Sequence, residues 1–207
     1  VSIGSESVAG IKPINEDAVS FKIPNNDTDI ANKGICCALS DGVSTAEAGQ
    51  QASSAAVSRF VDDYYLSPET WSVSHCGQKI LSATNLSLYK KSHEFTSEQK
   101  GYLCTFVGLV FKSQTAHFFN IGDSRIYQLR KGELKQLTRD HCTFIGEGKS
   151  YLTRALGMDN NLHVDYGKVV MEVGDRFLLS TDGVHEFIEE QSIISILSSS
   201  LNEQQQA

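Results

Sequence analysis

Two long helical segments separate two groups of strand-like segments, and this order constrains the fold more than any other feature. Ser44 with Glu47 forms a predicted capping box for a first helix that ends near Leu66. Ser67 before Pro68 predicts the start of a second helix that ends near Lys91. Apolar periodicity predicts strands over residues 17–23, 34–40, 102–111, 115–121, 125–130, 163–171 and 176–180. Strands on both sides of a helical pair, without regular β-α alternation, indicate an α+β layered protein.

Composition limits the classes of protein that this chain can belong to. A length of 207 residues with three prolines and no linker-like stretch predicts one domain with a full core. A net charge of −7 argues against nucleic acid as the partner, because phosphate backbones attract basic proteins. No apolar run is long enough to span a membrane.

The ends of the chain and its cysteines indicate a cellular setting. The chain has neither an initiator methionine nor a secretory signal, so we expect a processed or excised piece. Its five cysteines are odd in number and form no C-x-x-C, which favours reduced thiols and a cytoplasmic location. The sequence leaves the oligomeric state open.

Three predicted strands end close to an aspartate beside a glycine. The pairs are Asp41-Gly42, Gly122-Asp123 and Asp182-Gly183. A further acidic pair, Glu16-Asp17, opens the first strand. A carboxylate at a strand end is held rigidly by the sheet, and a neighbouring glycine allows backbone or ligand to approach closely.

If these strand ends converge, several carboxylates share one small volume. Like charges at such distances repel, so the cluster would take up protons or bind cations. Ligands that are all oxygen favour Mg²⁺ or Mn²⁺ over Zn²⁺. The alternative is that each Asp-Gly pair only makes a turn, and residue patterns alone leave both interpretations open. Phosphate-binding loops, dinucleotide fingerprints and nucleophile elbows are absent from the sequence.

Six ordered blocks between residues 10 and 184 resemble the metal-dependent Ser/Thr protein phosphatases of type 2C, in their bacterial form. The blocks read GIKPINED from Gly10, LSDGV from Leu39, NIGDSRIY from Asn120, LTRDH from Leu137, LTRALG from Leu152 and FLLSTDGV from Phe177. The resemblance implies a four-layer αββα sandwich, in which two antiparallel sheets are flanked by helices. His141 and Arg154, in two of these blocks, are interpreted as structural hydrogen-bonding residues.

The resemblance also implies a metal site that holds two Mg²⁺ or Mn²⁺ ions and a third, weaker one. Asp41 would bridge the two ions, the Gly42 carbonyl would bind one of them and Asp182 the other. Glu16 and Asp17 would hold metal-bound waters, and Asp123 would join Asp182 at the third ion. Asp41, Asp182 and Lys12 are the residues assigned to catalysis, with Lys12 at the substrate phosphate.

Three departures from the family pattern affect these expectations. Lys12 stands where the family usually has Arg, which predicts weaker phosphate binding. Val43 stands where many eukaryotic members carry a proposed acid histidine, so water would protonate the leaving group. The family closes with an Asp-Asn-x-Thr strand that supplies another metal ligand, and the chain reaches Ala207 without it. We therefore expect residues 1–207 to form a single phosphatase-like domain that lacks this strand.

The implied function is metal-dependent hydrolysis of phosphoserine and phosphothreonine on proteins by a metal-activated water. The implied partners are a phosphoprotein substrate and a cognate Ser/Thr kinase, either separate or fused, with no nucleic acid and no membrane span. Two alternatives stay open: a non-catalytic phosphatase-like module that binds phosphoprotein, and a hydrolase of small phosphoesters.

Overall fold

The computed structural model describes residues 1–43, 48–93, 101–145, 149–199 and 202–207. Its strands, in chain order, are β1 Asp17–Lys22, β2 Ile35–Asp41, β3 Phe106–Lys112, β4 Thr115–Ile121, β5 Arg125–Arg130, β6 Glu133–Gln136, β7 Cys142–Ile145, β8 Lys149–Leu152, β9 Asp165–Val170 and β10 Arg176–Ser180. Its helices are α1 Asp27–Asn32, α2 Gly49–Leu66, α3 Val73–His93, α4 Asp182–His185, α5 Glu190–Ser198 and α6 Glu203–Gln206.

The described strands form two main sheets and a separate hairpin, all antiparallel. The first sheet has the order β1-β2-β3-β4-β9, and the second has the order β10-β5-β6. Strands β7 and β8 pair only with each other. Several sheet neighbours are consecutive in the chain and joined by short turns, which is how antiparallel strands commonly connect.

Helices α2 and α3 cover one face of the first sheet. Apolar residues recur every four positions along α2 and give it one buried stripe, which includes Phe60 and Tyr64. The Phe60 ring lies between Phe106 of β3 and Phe119 of β4, at centroid distances of 4.9 and 5.6 Å. Replacing a ring packed in this way by alanine typically costs about 3–5 kcal/mol. This cluster therefore anchors the helical layer to the sheet.

Two further apolar layers complete the sandwich. Between the sheets, Val107 and Leu109 of β3 pack with Ile126 of β5. Outside the second sheet, Ile193 and Leu197 of α5 belong to the cluster around Leu129. The order is helices, first sheet, second sheet and helix, so the predicted α+β class with antiparallel sheets flanked by helices is confirmed.

The predicted start of the second helix is wrong. The helix begins at Val73, and the Ser72 hydroxyl accepts a hydrogen bond from the His75 amide at 3.2 Å. Ser67 instead ends α2, where its hydroxyl accepts a hydrogen bond from the buried Lys33 ammonium at 2.8 Å. A buried ammonium needs hydrogen-bond acceptors. Because Ser67 serves as one of them for the distant Lys33, it does not act as the N-cap of the second helix. The predicted capping box of the first helix, Ser44 with Glu47, lies outside the described residues.

The predicted strand over residues 102–111 begins later, at Phe106. Before it, Cys104 forms isolated bridges to Gly42 on one side and Leu156 on the other. This stretch therefore ties the end of β2 to the segment after β8. All five cysteines are free thiols. Among the described helices, none combines the length and apolar character needed to cross a membrane.

Candidate metal centre

Three carboxylates meet where β1 begins and where β2 and β10 end. Asp17, the first residue of β1, lies opposite Asp41, the last residue of β2. Asp182 follows β10, and the hydroxyl of its neighbour Thr181 donates to Asp17 Oδ2 at 3.1 Å. The Asp41 carboxyl lies beside the carboxyls of Asp17 and Asp182, whose charges act on it. Sheet pairing therefore brings together acidic residues that are far apart in sequence.

The Asp41 side chain is partly buried and has no cation beside it among the described residues to balance its charge. Burial, followed by the nearby charges of Asp17 and Asp182, raises the pKa of Asp41 to about 9. A carboxyl in this state is neutral at physiological pH when no cation is present. The fold therefore holds Asp41 in a place where its charged form needs a counter-ion.

Asp123 lies at the edge of the same cluster, in the turn between β4 and β5. Burial, followed by the charge of Asp182, raises its pKa to about 6. The preceding residue, Gly122, has a φ of +99°, and a Cβ there would lie 2.8 Å from the Thr105 side chain. Only glycine satisfies both conditions, so Gly122 fixes the turn that presents Asp123.

Thr105 is a residue that sequence analysis missed, and it connects two of the acidic segments. Its amide donates to the Asp41 carbonyl at 2.8 Å, and its hydroxyl accepts from the Asp41 amide at 3.0 Å. The same hydroxyl is 2.7 Å from the Ser124 hydroxyl, next to Asp123. A threonine before a strand carries no motif, so no local signal would have identified it.

Gly42 and Gly49 allow the start of α2 to approach the end of β2. A Cβ on Gly42 would lie 2.4 Å from the carbonyl carbon of Gly49, closer than any real contact. The Gly42 amide donates to the Glu16 carbonyl at 3.1 Å. Glu16 Oε1 would lie 3.0 Å from a Cβ on Gly49, so the Glu16 carboxylate is beside the helix start. Gly42 is thus held by contacts with both segments.

Lys12 lies in the turn before β1 and borders the acidic cluster. Its ammonium is 3.8 Å from Glu16 Oε2, and about half of its side chain is exposed. Lys12 therefore places a positively charged side chain, half exposed to solvent, beside the acidic cluster.

The chemistry of the donor atoms, all of them oxygen, fits a hard divalent cation. The carboxyls of Asp17 and Asp182 lie close enough to that of Asp41 for their charges to act on it. Within the described residues, no three His, Cys, Asp or Glu side chains adopt ready ligand geometry. Oxygen donors without histidine or thiolate favour Mg²⁺ or Mn²⁺. Ion binding would displace the proton that Asp41 holds when no cation is present.

Comparisons with known proteins agree with this fold. The family model for Protein phosphatase 2C matches residues 13–206. The serine/threonine phosphatase stp of Listeria monocytogenes is 29% identical over 187 residues, which cover 78% of this chain and 71% of that protein. Protein phosphatase PhpP of Streptococcus pneumoniae is 28% identical over 130 residues, which cover 54% of this chain and 52% of that protein. The chain therefore spans about half the length of PhpP.

Solved structures show the same fold at lower sequence identity. Stp1 from Staphylococcus aureus has a TM-score of 0.82 at 20% identity, covering 100% of this chain and 88% of Stp1. PstP/Ppp from Mycobacterium tuberculosis has a TM-score of 0.78 at 21% identity, covering 98% and 86%. The six sequence blocks, the sandwich and the match over residues 13–206 lead to one conclusion: this chain belongs to the protein phosphatase 2C family.

Proposed function

We propose that the chain hydrolyses phosphoserine and phosphothreonine on proteins with the help of divalent cations held by the Asp41 cluster. The observation that carries this proposal is the convergence of three carboxyls at the strand ends: Asp17 lies opposite Asp41, and the neighbour of Asp182 donates to Asp17. Burial and these charges also raise the pKa of Asp41. Strongly shifted carboxyls cluster at functional sites.

Each acidic residue has a role in this proposal. Asp41 would be a ligand for both cations, the Gly42 carbonyl for one of them and Asp182 for the other. Glu16 and Asp17 would help to hold these ions through water, and Asp123 with Asp182 would hold a third, weaker one. When bound, Mg²⁺ or Mn²⁺ lowers the pKa of water and offsets the charge of the phosphate.

The remaining chemistry belongs to Lys12 and to solvent. The Lys12 ammonium, next to Glu16, attracts the phosphate as a point charge and cannot form the two-pronged contact of an arginine. Hydrolysis breaks the ester P–O bond: the attacking water adds its oxygen to phosphorus and releases one proton to solvent, and the ester oxygen leaves. Val43 carries no acid, so the leaving oxygen takes its proton from a solvent water.

A cognate Ser/Thr kinase, separate or fused, and a cytoplasmic location complete the proposal. The five free thiols support a reducing compartment. The relatives named serine/threonine phosphatases support phosphoproteins as substrates. A pull-down from cytoplasmic extract with the tagged chain, probed for a phosphorylated kinase, tests the partner. Cell fractionation tests the location: finding the protein only in a membrane or periplasmic fraction would contradict a cytoplasmic location.

The test of the function is turnover with and without Mn²⁺. We expect hydrolysis of p-nitrophenyl phosphate and of phosphoserine peptides that stops with a chelator. Asp41→Asn and Asp182→Asn should each lower kcat strongly. Mutating a residue that only hydrogen-bonds to a metal ligand typically lowers activity by roughly 10–100-fold, and we expect larger losses here. The matched control is Asp63→Asn on the exposed side of α2, which should keep full activity.

The same assay separates the two alternatives. Binding of phosphopeptide without turnover by the folded, Mn²⁺-loaded chain would contradict hydrolysis and identify a binding module. A kcat/KM for small phosphoesters that exceeds the value for phosphopeptides would contradict protein substrates. We expect neither outcome, because Lys12, beside the cluster, is half exposed and can be reached by a protein chain.

A further inference from the structure

Three basic side chains lie on one face of the first sheet, on the strands β3, β4 and β9. His117 of β4 is directly opposite Lys168 of β9. Lys112 of β3 is opposite Thr115, which is two residues from His117 along β4. Opposed residues and residues two apart point to the same side of a sheet. All three basic side chains therefore share the face on which Phe119 packs against α2.

The two lysines are close enough to act on the His117 ring together. Directly opposed Cβ atoms are about 4.5–5.5 Å apart and diagonal ones about 7–8 Å, distances that long side chains bridge. Burial, followed by the charges of Lys168 and Lys112, lowers the pKa of His117. The charges that act on the ring are both positive. Two ammonium groups thus lie near a neutral imidazole.

The charges of these two lysines are not balanced by the protein. Neither Lys112 nor Lys168 forms an ion pair with an acidic residue in the part of the chain that the structure describes. This is notable in a chain with 25 acidic and 18 basic residues, in which other cations do have carboxylate partners: Arg125, Arg130, Lys131 and Arg154. Like charges on neighbouring strands repel, and a bound anion would remove this repulsion.

His117 supplies an oriented hydrogen-bond donor on the strand between the two lysines. Its Nδ1 is 2.7 Å from the Tyr166 hydroxyl, and the two rings are stacked with centroids 6.1 Å apart. When the hydroxyl donates to Nδ1, the ring proton is on Nε2. Nε2 makes no hydrogen bond to any other residue in the described ranges. Tyr166 therefore fixes the ring and leaves one N–H donor for a ligand.

This basic cluster lies at the end of β4 that is remote from the metal centre. His117 is four residues before Ile121, the last residue of β4, a distance of roughly 13 Å along a strand. Asp123 follows beyond that end. An anion at His117 is therefore too far from the Asp41 cluster to react there, and it acts as a ligand rather than as a substrate group.

We propose that Lys112, His117 and Lys168 form a binding site for a phosphate group, termed the β4 basic site. Two ammonium charges match the charge of about −1.5 to −2 that a phosphate monoester carries at pH 7, whereas a carboxylate brings only one. The His117 Nε2–H donates to a phosphate oxygen. The phosphate is either free or carried by a phosphorylated residue. The proposal does not depend on hydrolysis at the Asp41 cluster.

Binding is tested without turnover. The full chain, without added metal, is titrated at constant ionic strength with inorganic phosphate, with a phosphoserine peptide and with its glutamate counterpart, while the NMR signals of the His117 ring are followed. We expect saturable shifts with both phosphate sources and weaker binding of the glutamate peptide. A shift with only one phosphate source would identify that source as the ligand.

Three results of this titration would overturn the proposal. The first is the absence of any shift, and the second is an equal shift when sodium chloride replaces phosphate, because screening alone would then explain it. The third is a glutamate peptide that binds as tightly as the phosphoserine peptide, because the site would then not be selective for phosphate.

Substitution of the lysines tests which groups bind. Lys112→Gln and Lys168→Gln should each weaken phosphate binding by about 10-fold, the effect of one charge-assisted hydrogen bond. Lys112→Arg and Lys168→Arg keep the charge and should keep most of the affinity. The matched control Lys135→Gln, exposed on β6, should bind like wild type. Unchanged affinity in both glutamine variants would overturn the proposal, and if a variant does not fold, the titration of the unmodified chain still decides.

Discussion

The two Asp-Gly-Val sites of this chain look equivalent in sequence and differ in structure. Asp41 ends β2, and Gly42 is packed so closely against Gly49 that a Cβ has no space. Asp182 starts the short helix α4, and a Cβ on Gly183 would have no neighbour within 4 Å. The glycine is therefore required for close packing at the Asp41 site, whereas at the Asp182 site it has no packing role and the pattern only places a carboxylate.

This difference shows how the carboxylates are organised. Hydrogen bonds from Thr105 and to Glu16 fix the backbone around Asp41 and Gly42, so the Asp41 carboxyl cannot move far from the other carboxyls. On the other side of the cluster, Asp182 is followed by a helical turn open to solvent. We infer that the Asp41 side is the rigid half of the site and the Asp182 side the adaptable half.

Substituting the two glycines tests this contrast with the largest expected effect. Gly42→Ala should lower the free energy of unfolding by about 3 kcal/mol, because the added methyl overlaps the Gly49 backbone. Gly183→Ala should change it by less than about 0.5 kcal/mol, since the site is open. Urea unfolding measures both values, and equal effects would contradict the contrast.

We expect the Thr105 hydroxyl to contribute to the affinity for Mn²⁺ as well as to the stability of the fold. Thr105→Val removes an acceptor of the Asp41 amide and should weaken Mn²⁺ binding by about 10-fold. Thr105→Ser keeps the hydroxyl and should restore most of the affinity. Calorimetric titration with Mn²⁺ measures the change, and equal affinities of the Val and Ser variants would show that the hydroxyl does not position Asp41.

Removing the ionisable group of Asp41 should make the metal-free protein more stable. Burial and the charges of Asp17 and Asp182 raise the pKa of Asp41, so wild type must take up a proton at Asp41 when it folds at neutral pH. Asp41→Asn folds without this proton uptake, and we expect a gain of about 1 kcal/mol in the free energy of unfolding. Asp182→Asn should gain less, because Asp182 lies on the open half of the site. Thermal unfolding with a chelator present checks both variants. A loss of stability in Asp41→Asn would mean that burying Asp41 beside the other carboxyls does not destabilise the metal-free protein.

Asp175, outside the site, provides the opposite case and the smallest expected effect. Hydrogen bonds from Arg130, partly offset by burial, lower the pKa of Asp175 to about 2. The folded pKa is below the unfolded value near 4, so this contribution to stability is present above about pH 4 and is lost as the pH falls toward 2. Between pH 5 and 2.5, Asp175→Asn should therefore lose less stability than wild type; parallel losses would contradict the assignment.

Much of the fold could be predicted because local periodicity and sheet pairing agree. Residues 115–121, 125–130 and 176–180 were predicted as strands with the bounds that the structure has. These strands lie between two layers, so their apolar patterns are strong. The start of α3 was missed because the buried Lys33 recruits Ser67, a contact between distant segments. Strand β6, mostly exposed, lacks an apolar pattern altogether.

The site could be predicted only as far as strand ends carry its residues. Asp41 and Asp182 follow apolar strands, and this signal is local. The support from Thr105 and the contact between Gly42 and Gly49 depend on which strand and helix lie side by side. Such contacts have no local signature, because each one is created by the packing of two distant segments.

Calorimetric titration with Mn²⁺ tests the central claim, that Asp41 is the shared centre of a divalent-cation site. We expect wild type to bind two ions, Asp182→Asn to lose one of them and Asp41→Asn to lose both. Binding of two ions to Asp41→Asn with unchanged affinity would contradict the account.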